Sequence, residues 1–109
     1  MQNMTFDALA EVIKARRLNP QEGSYTCYLF EKGLDKMLKK VGEECAETII
    51  AAKNGNMAEL CGEVCDLIYH LWVVCEQAGL PVEDIYAELE CRSEKIGNLK
   101  GIKNTDRNT

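Results

Sequence analysis

Residues 43–47 read Glu-Glu-Cys-Ala-Glu and residues 63–66 read Glu-Val-Cys-Asp, and the spacing within these two acidic segments predicts how the central helices pair. In each segment two carboxylates stand three residues apart, Glu44 with Glu47 and Glu63 with Asp66, and this spacing puts both side chains on one helix face. About fifteen residues separate the segments, enough for one helix to end and a second to fold back against it. The sequence therefore predicts two packed helices whose four carboxylates face one another.

Four carboxylates brought together repel one another unless a cation lies between them. Their hard oxygen atoms suit a divalent cation, and we expect Mg²⁺, with Mn²⁺ as a substitute. Mg²⁺ usually keeps coordination positions open for water and for phosphate oxygens. The acidic segments therefore predict a metal site that acts on a phosphorylated substrate.

The rest of the chain predicts an all-α fold, a helical bundle of four to five helices. The expected helices cover residues 6–18, 24–30, 35–53, 56–78 and 81–96. Ser24, Asp35 and Asn56 are the expected N-caps, and Pro81 is expected in the first turn of the last helix. One domain over residues 1–96 and a polar, mobile tail over residues 97–109 follow from this pattern.

Apolar residues predict how the long helices pack. On the third helix, the expected apolar stripe consists of Met37, Val41, Cys45, Ile49 and Ala52. On the fourth helix, residues 67–75 are apolar on nearly every side, which is more than one neighbour covers. We therefore expect a homodimer that completes the core, with Trp72 at the centre of the association surface.

Composition narrows the class of protein. The apolar fraction of 46% excludes wholesale disorder, and no apolar run approaches the roughly 20 residues needed to cross a bilayer. The first residues carry no secretory signal, so we expect a cytoplasmic protein without a membrane partner. The formal net charge of −5 argues against nucleic-acid binding, which depends on Lys and Arg.

Six cysteines raise the question of a thiolate metal site. No two of them form a C-x-x-C pair, and Cys61 and Cys65 lack further ligands at regular spacing. We expect all six to be buried or half-buried small apolar residues in a reducing compartment.

One segment begins Ser24-Tyr25-Thr26, continues through Glu31-Lys32-Gly33 and Lys40-Val41-Gly42, and ends in the acidic residues. This segment resembles the phosphoribosyl-ATP pyrophosphohydrolase family of histidine biosynthesis. The resemblance covers about residues 6–92. The wider superfamily, the all-α nucleoside triphosphate pyrophosphatases, shares the pattern E-E-x-x-E followed by E-x-x-D. All acidic positions of that pattern are matched here, by Glu43, Glu44, Glu47, Glu63 and Asp66.

The resemblance implies hydrolysis of phosphoribosyl-ATP between its α and β phosphates, giving phosphoribosyl-AMP and pyrophosphate. It implies that Glu44, Glu47, Glu63 and Asp66 hold the metal, which would orient a water and lower its pKa. Either Glu47 or Glu44 would accept the proton from water, and Glu43 would support that carboxylate.

Other polar residues are expected around this centre. The basic cluster of Lys32, Lys36, Lys39 and Lys40 suits a polyphosphate, and Lys36 and Lys40 share the carboxylate side of the helix, although exposed lysines such as Lys39 are commonly only solvated. We expect Ser24, Tyr25 and Thr26 either to donate hydrogen bonds to phosphate or ribose or to cap their helix. Lys53 either contacts phosphate or interacts with the dipole at the end of its helix. His70 is expected to orient Asp66.

Three other functions compete with this interpretation. A house-cleaning pyrophosphatase of broader nucleotide specificity shares the whole acidic pattern, and only residues 24–41 argue against it. A di-iron carboxylate bundle usually needs two Glu-x-x-His pairs, whereas this chain has one histidine. A helical interaction module would explain the apolar helices but not two acidic pairs beside lysines.

Overall fold

Five α-helices make up residues 4–96, which are the residues that the computed structural model describes. They are α1 (Met4–Leu18), α2 (Tyr25–Lys32), α3 (Leu34–Asn54), α4 (Met57–Ala78) and α5 (Val82–Ile96). No strand occurs in that range, so the predicted all-α fold is confirmed. The tail expected over residues 97–109 lies outside the described residues. No described helix is both long enough and apolar enough to span a bilayer.

Two of the predicted N-caps are confirmed. The Ser24 hydroxyl accepts a hydrogen bond from the Cys27 backbone N–H (3.2 Å), at the start of α2. The Asn56 side-chain oxygen accepts one from the Glu59 backbone N–H (3.0 Å), at the start of α4. Each bond satisfies a backbone donor that the first turn of a helix otherwise leaves unpaired.

The other two predicted helix starts are wrong by a residue or two. Asp35 lies in the first turn of α3, and the N-cap position belongs to Gly33, which also ends α2. Gly33 has φ 94° and ψ −174°, a conformation essentially restricted to glycine, so the chain can turn between two helices within one residue. Pro81 precedes α5, and its carbonyl accepts from the Asp84 backbone N–H (3.0 Å).

The core lies where α1, α2, α3 and α4 meet. Its fully buried side chains are Ile13, Leu29, Met37 and Val73, one from each of these helices. The most extensive helix pair is α3 with α4, which the two-residue turn at residues 55–56 joins as a hairpin. This hairpin carries both acidic segments.

The apolar stripe predicted on α3 is mostly exposed. Met37 is buried and Val41 is half-buried, but Ile49 is 64% exposed, and Cys45 and Ala52 are exposed too. The side of α3 that α4 covers instead carries Glu44 and Ala51, which are buried. The buried residues of α3, Met37, Glu44 and Ala51, therefore recur every seven residues on one line, and the predicted stripe faces outward from Cys45 onward.

Trp72 does not lie on an open apolar surface, contrary to the expectation from sequence. It is half-buried against the core, and its indole N–H donates to the Phe6 carbonyl (3.2 Å) while its ring packs on the Phe6 ring, with centroids 5.4 Å apart. Trp72 therefore joins α4 to α1 within one chain.

The expected burial of the cysteines is wrong for four of the six. Cys27 and Cys75 are half-buried, whereas Cys45, Cys61, Cys65 and Cys91 are exposed, and all six are free thiols. Cys45 is exposed together with the outward part of the α3 stripe to which it belongs.

Candidate active site

The α3–α4 hairpin brings together carboxylates from both acidic segments. One oxygen atom from each of Glu44, Glu63 and Asp66 lies within 4.8 Å of the other two. Glu44 comes from α3 and is buried, Glu63 comes from α4 and is half-buried, and Asp66 is exposed one turn further along α4. The cluster therefore opens to solvent on the Asp66 side and is closed on the Glu44 side.

Two oxygen atoms in this cluster lack hydrogen-bond partners. One carboxylate oxygen of Glu44 and one of Glu63 are buried, and neither has a partner among the described residues. A buried carboxylate oxygen without a donor or a cation raises the free energy of the folded state, because no interaction replaces the hydrogen bonds that it made to water. A hard divalent cation would satisfy both atoms, so the donor set fits the Mg²⁺ predicted from sequence.

Glu47 lies beside this group but outside the close set of three. A hydrogen bond with the Glu47 carboxyl, together with desolvation and the negative charges of Glu47 and Glu44, raises the pKa of Glu63 to about 7. Glu63 therefore keeps its proton to a higher pH than an ordinary carboxyl does in the metal-free protein. All four predicted metal ligands therefore lie close together. Of the two that come from α3, Glu47 is exposed and Glu44 is buried.

Glu43 faces the lysines of α3. Its carboxylate forms an ion pair with the Lys40 ammonium (3.3 Å), and the hydrogen bond that Lys40 donates to Glu43 is the main reason that the pKa of Lys40 is raised. Glu43 thus keeps Lys40 charged and oriented. This contact differs from the predicted one, in which Glu43 supports the carboxylate that accepts the proton.

A cavity of about 200 Å³ lies next to Lys40. Its lining comes from α2 and α3 and consists of Tyr25, Tyr28, Lys36, Lys39, Lys40 and Glu43. The Tyr25 and Tyr28 rings stack with centroids 6.0 Å apart, and the ammonium of Lys36 lies 6.0 Å from the Tyr28 centroid. Three cations in such a space suit an anion with several phosphates.

The remaining predicted substrate contacts lie in different surroundings. Ser24 caps α2. The ammonium of Lys32 lies 5.8 Å from the Tyr28 ring centroid, while Lys53 is exposed in the last turn of α3. The Thr26 hydroxyl is buried and hydrogen-bonded to the Tyr69 hydroxyl, so it points into the protein and away from the cavity.

His70 is a buried residue of α4 that bonds to α2. It is 6% exposed, its Nδ1 lies 2.7 Å from the Asp66 backbone oxygen, and its Nε2 lies 3.0 Å from the Tyr25 hydroxyl. The expectation that His70 orients Asp66 thus holds only for the backbone of that residue. The ring does not contact the Asp66 carboxylate.

Sequence reasoning missed two aromatic residues near the site. Tyr28 lines the lysine cavity, and Tyr69 packs edge-on against His70 with centroids 4.9 Å apart. The spacing of Tyr25 and Tyr28 by three residues was an available signal, because it puts both rings on one side of α2. Nothing local in the sequence indicates the Thr26–Tyr69 contact, which joins residues 43 positions apart.

Comparison with known proteins decides the family. The model of the phosphoribosyl-ATP pyrophosphohydrolase family matches residues 6–93. The chain belongs to this family. A Clostridium botulinum protein named phosphoribosyl-ATP pyrophosphatase is 52% identical over 103 residues, which cover 94% of each chain. One of the same name from Listeria innocua is 55% identical over 95 residues, covering 87% of this chain and 91% of that one.

A third relative carries a similar sequence within a larger protein. The histidine biosynthesis bifunctional protein HisIE of Caldanaerobacter subterraneus is 58% identical over 87 residues. These cover 80% of this chain and 42% of that protein. The family membership predicted from residues 24–66 is therefore confirmed by proteins that match most of this chain.

Proposed function

We propose that this protein is a phosphoribosyl-ATP pyrophosphatase of histidine biosynthesis that depends on Mg²⁺. It would cleave phosphoribosyl-ATP between the α and β phosphates and release phosphoribosyl-AMP and pyrophosphate. The names of its relatives support the substrate. The observation that carries the chemistry is the pair of buried, unpartnered carboxylate oxygens on Glu44 and Glu63, with Asp66 within 4.8 Å.

Glu44, Glu63 and Asp66 would hold the metal, and Glu47 would complete the set from the exposed side. When bound, Mg²⁺ supplies positive charge for the triphosphate and lowers the pKa of a coordinated water. A proton on Glu63 must leave before that carboxylate can bind a cation.

Glu47 is the proposed proton acceptor. It lies beside the three close carboxylates and is exposed, so a water molecule can reach it, whereas Glu44 is buried. As the water oxygen bonds to phosphorus, its proton passes to the Glu47 carboxylate, and the bridging P–O bond breaks with its electron pair on the leaving phosphate. A carboxylate at this position can accept the proton directly, without a second side chain to relay it.

Lys36 and Lys40 are the proposed phosphate ligands. Both line the cavity beside the carboxylates, and the ion pair with Glu43 holds the Lys40 ammonium there. Three N–H donors on each ammonium leave enough free for phosphate oxygens after the contact with Glu43 is made.

A substrate panel tests this function. Purified protein with Mg²⁺ would be given phosphoribosyl-ATP, ATP, dATP, dUTP and dCTP in parallel, and pyrophosphate and the nucleoside monophosphate would be measured. The proposal requires turnover of phosphoribosyl-ATP well above that of the others, and none in excess EDTA. Comparable turnover of the deoxynucleotides would favour the house-cleaning alternative, and full turnover in EDTA would overturn the metal requirement.

The homodimer is also a proposal. The outward face of α3 exposes Leu38 (47%) and Ile49 (64%), and α4 adds Val64 and Leu71 at 38% each. An apolar face of this kind on a hairpin is better covered by a second copy than left in water. We place the association surface on this face of α3 and α4, and not on Trp72.

A further inference from the structure

The hydrogen bonds of His70 fix the direction of the bond to Tyr25. A backbone carbonyl can only accept, so the Asp66 oxygen, 2.7 Å from Nδ1, requires the proton on Nδ1. In the neutral ring Nε2 then has no proton and can only accept. The Tyr25 hydroxyl, 3.0 Å from Nε2, must therefore donate its single proton to His70.

This direction limits what the Tyr25 oxygen can do toward a ligand. A hydroxyl has one proton and two lone pairs, so with its proton on His70 the Tyr25 oxygen can only accept. The oxygens of an ionised phosphate also only accept, and they cannot pair with it. The hydroxyl groups of a sugar can donate to it.

We infer that the Tyr25 oxygen accepts a hydrogen bond from a ribose hydroxyl of the bound nucleotide and does not bind its phosphates. Tyr25 is 44% exposed and lines the cavity that Lys36 and Lys40 also line, so a nucleotide whose phosphates pair with these lysines would bring its ribose next to Tyr25. His70 is a positioning residue, because it is buried and sets the orientation of the Tyr25 hydroxyl without facing the cavity. The inference rests on the proposed function only in taking the ligand to be a nucleotide.

A second hydrogen bond provides a matched control for the possibility that the Tyr25–His70 bond only holds two helices together. The Thr26–Tyr69 hydrogen bond also joins α2 to α4 through a tyrosine hydroxyl, next to the Tyr25–His70 bond, but Thr26 is buried and turned away from the cavity. Tyr69→Phe removes a bond between the same two helices. If the Tyr25–His70 bond only holds α2 on α4, the two phenylalanine variants should behave alike.

The first test uses the unmodified protein. His70 is the single histidine of the chain, so the ¹⁵N spectrum of histidine-labelled protein reports on this ring alone. At about pH 8, where an imidazole is ordinarily neutral, we expect the proton on Nδ1 and an unprotonated, hydrogen-bonded Nε2. A proton on Nε2 would overturn the inference, because Tyr25 would then be free to donate to phosphate.

The second test compares two ligands in the presence of Mg²⁺, α,β-methylene-ATP and tripolyphosphate, of which only the first has hydroxyl groups. Tyr25→Phe should weaken α,β-methylene-ATP binding about fivefold to tenfold, as expected for one lost hydrogen bond, and leave tripolyphosphate within about twofold. Tyr69→Phe should leave both within about twofold. Equal losses for both ligands, as expected if Tyr25 orients Lys40, would overturn the inference, and so would no loss for either.

These outcomes are separable from those of the proposed function. If phosphoribosyl-ATP is not turned over by the unmodified protein, the proposed reaction fails, yet the tautomer and the two binding constants still test Tyr25. If turnover is as expected and Tyr25→Phe weakens tripolyphosphate as much as the nucleotide, only the role of Tyr25 fails.

Discussion

Metal binding should release a proton, and the amount should depend on pH in a defined way. The pKa of Glu63 is raised to about 7 by its hydrogen bond with Glu47 and by the adjacent carboxylates. Glu63 should then be about nine tenths protonated at pH 6 and less than about one tenth protonated at pH 8.5. Because a carboxylate must lose its proton to bind a cation, Mg²⁺ should release close to one proton per chain at pH 6 and almost none at pH 8.5.

The same protonation sets the apparent affinity for the metal. Competition between the proton and Mg²⁺ should make the apparent Kd about tenfold weaker at pH 6 than at pH 8.5. The stability of the metal-free protein should change in the opposite sense. A carboxyl whose pKa is raised by folding favours the folded state at low pH, and this contribution is lost as the pH rises through about 7.

Isothermal titration calorimetry can measure the released protons. Mg²⁺ would be titrated at pH 6 in two buffers of different ionisation enthalpy, and the slope of the observed heat against that enthalpy gives the proton count. Glu63→Gln should abolish the release, and Glu59→Gln, one turn earlier on α4, should leave it unchanged. Tight binding at pH 6 with no proton released would show that Glu63 is already ionised beside Glu47 and Glu44, and the predicted proton release would then be wrong.

Three further predictions concern stability and assembly. Leu29→Ala should lower the free energy of unfolding by about 2–5 kcal/mol, because Leu29 is fully buried, whereas Leu18→Ala, at a side chain 55% exposed, should change it by less than about 0.5 kcal/mol in urea denaturation. Gly33→Ala should destabilise the fold by about 1–3 kcal/mol in the same assay, because no other residue readily adopts φ 94° with ψ −174°. Light scattering should give twice the monomer mass for the unmodified protein and a monomer for Ile49→Asp, while an unchanged dimer for Ile49→Asp would move the interface off the outward face of α3.

The sequence was most informative where local signals act. Ser24 and Asn56 were correctly predicted as caps because an N-cap depends on residues within one turn. The i,i+3 spacing of the acidic pairs likewise predicted which side chains would meet, because the turn at residues 55–56 fixes how α4 returns along α3.

The sequence was least informative about which face of each helix is covered. The apolar stripe on α3 suggested burial of Ile49, but within one chain α4 covers the side that carries Glu44. Periodicity gives the faces of a helix and not the neighbour that each one meets. The bonds of Tyr25 with His70 and of Thr26 with Tyr69 depend on that neighbour, so they could not be predicted before the helices were placed.

The kinetics of two carboxylate variants give the clearest test that the acidic cluster is the active site. Glu47→Gln and Asp66→Asn keep the shape of each side chain and remove the negative charge that would hold the metal. With Mg²⁺ and phosphoribosyl-ATP, we expect kcat/KM to fall at least about 100-fold in each variant, with helical content and unfolding temperature retained. Glu59→Gln changes an exposed carboxylate one turn before Glu63 that is not part of the close set, and this variant should stay within about twofold of the unmodified protein. Near-normal rates in both Glu47→Gln and Asp66→Asn would contradict the assignment of these carboxylates to the active site.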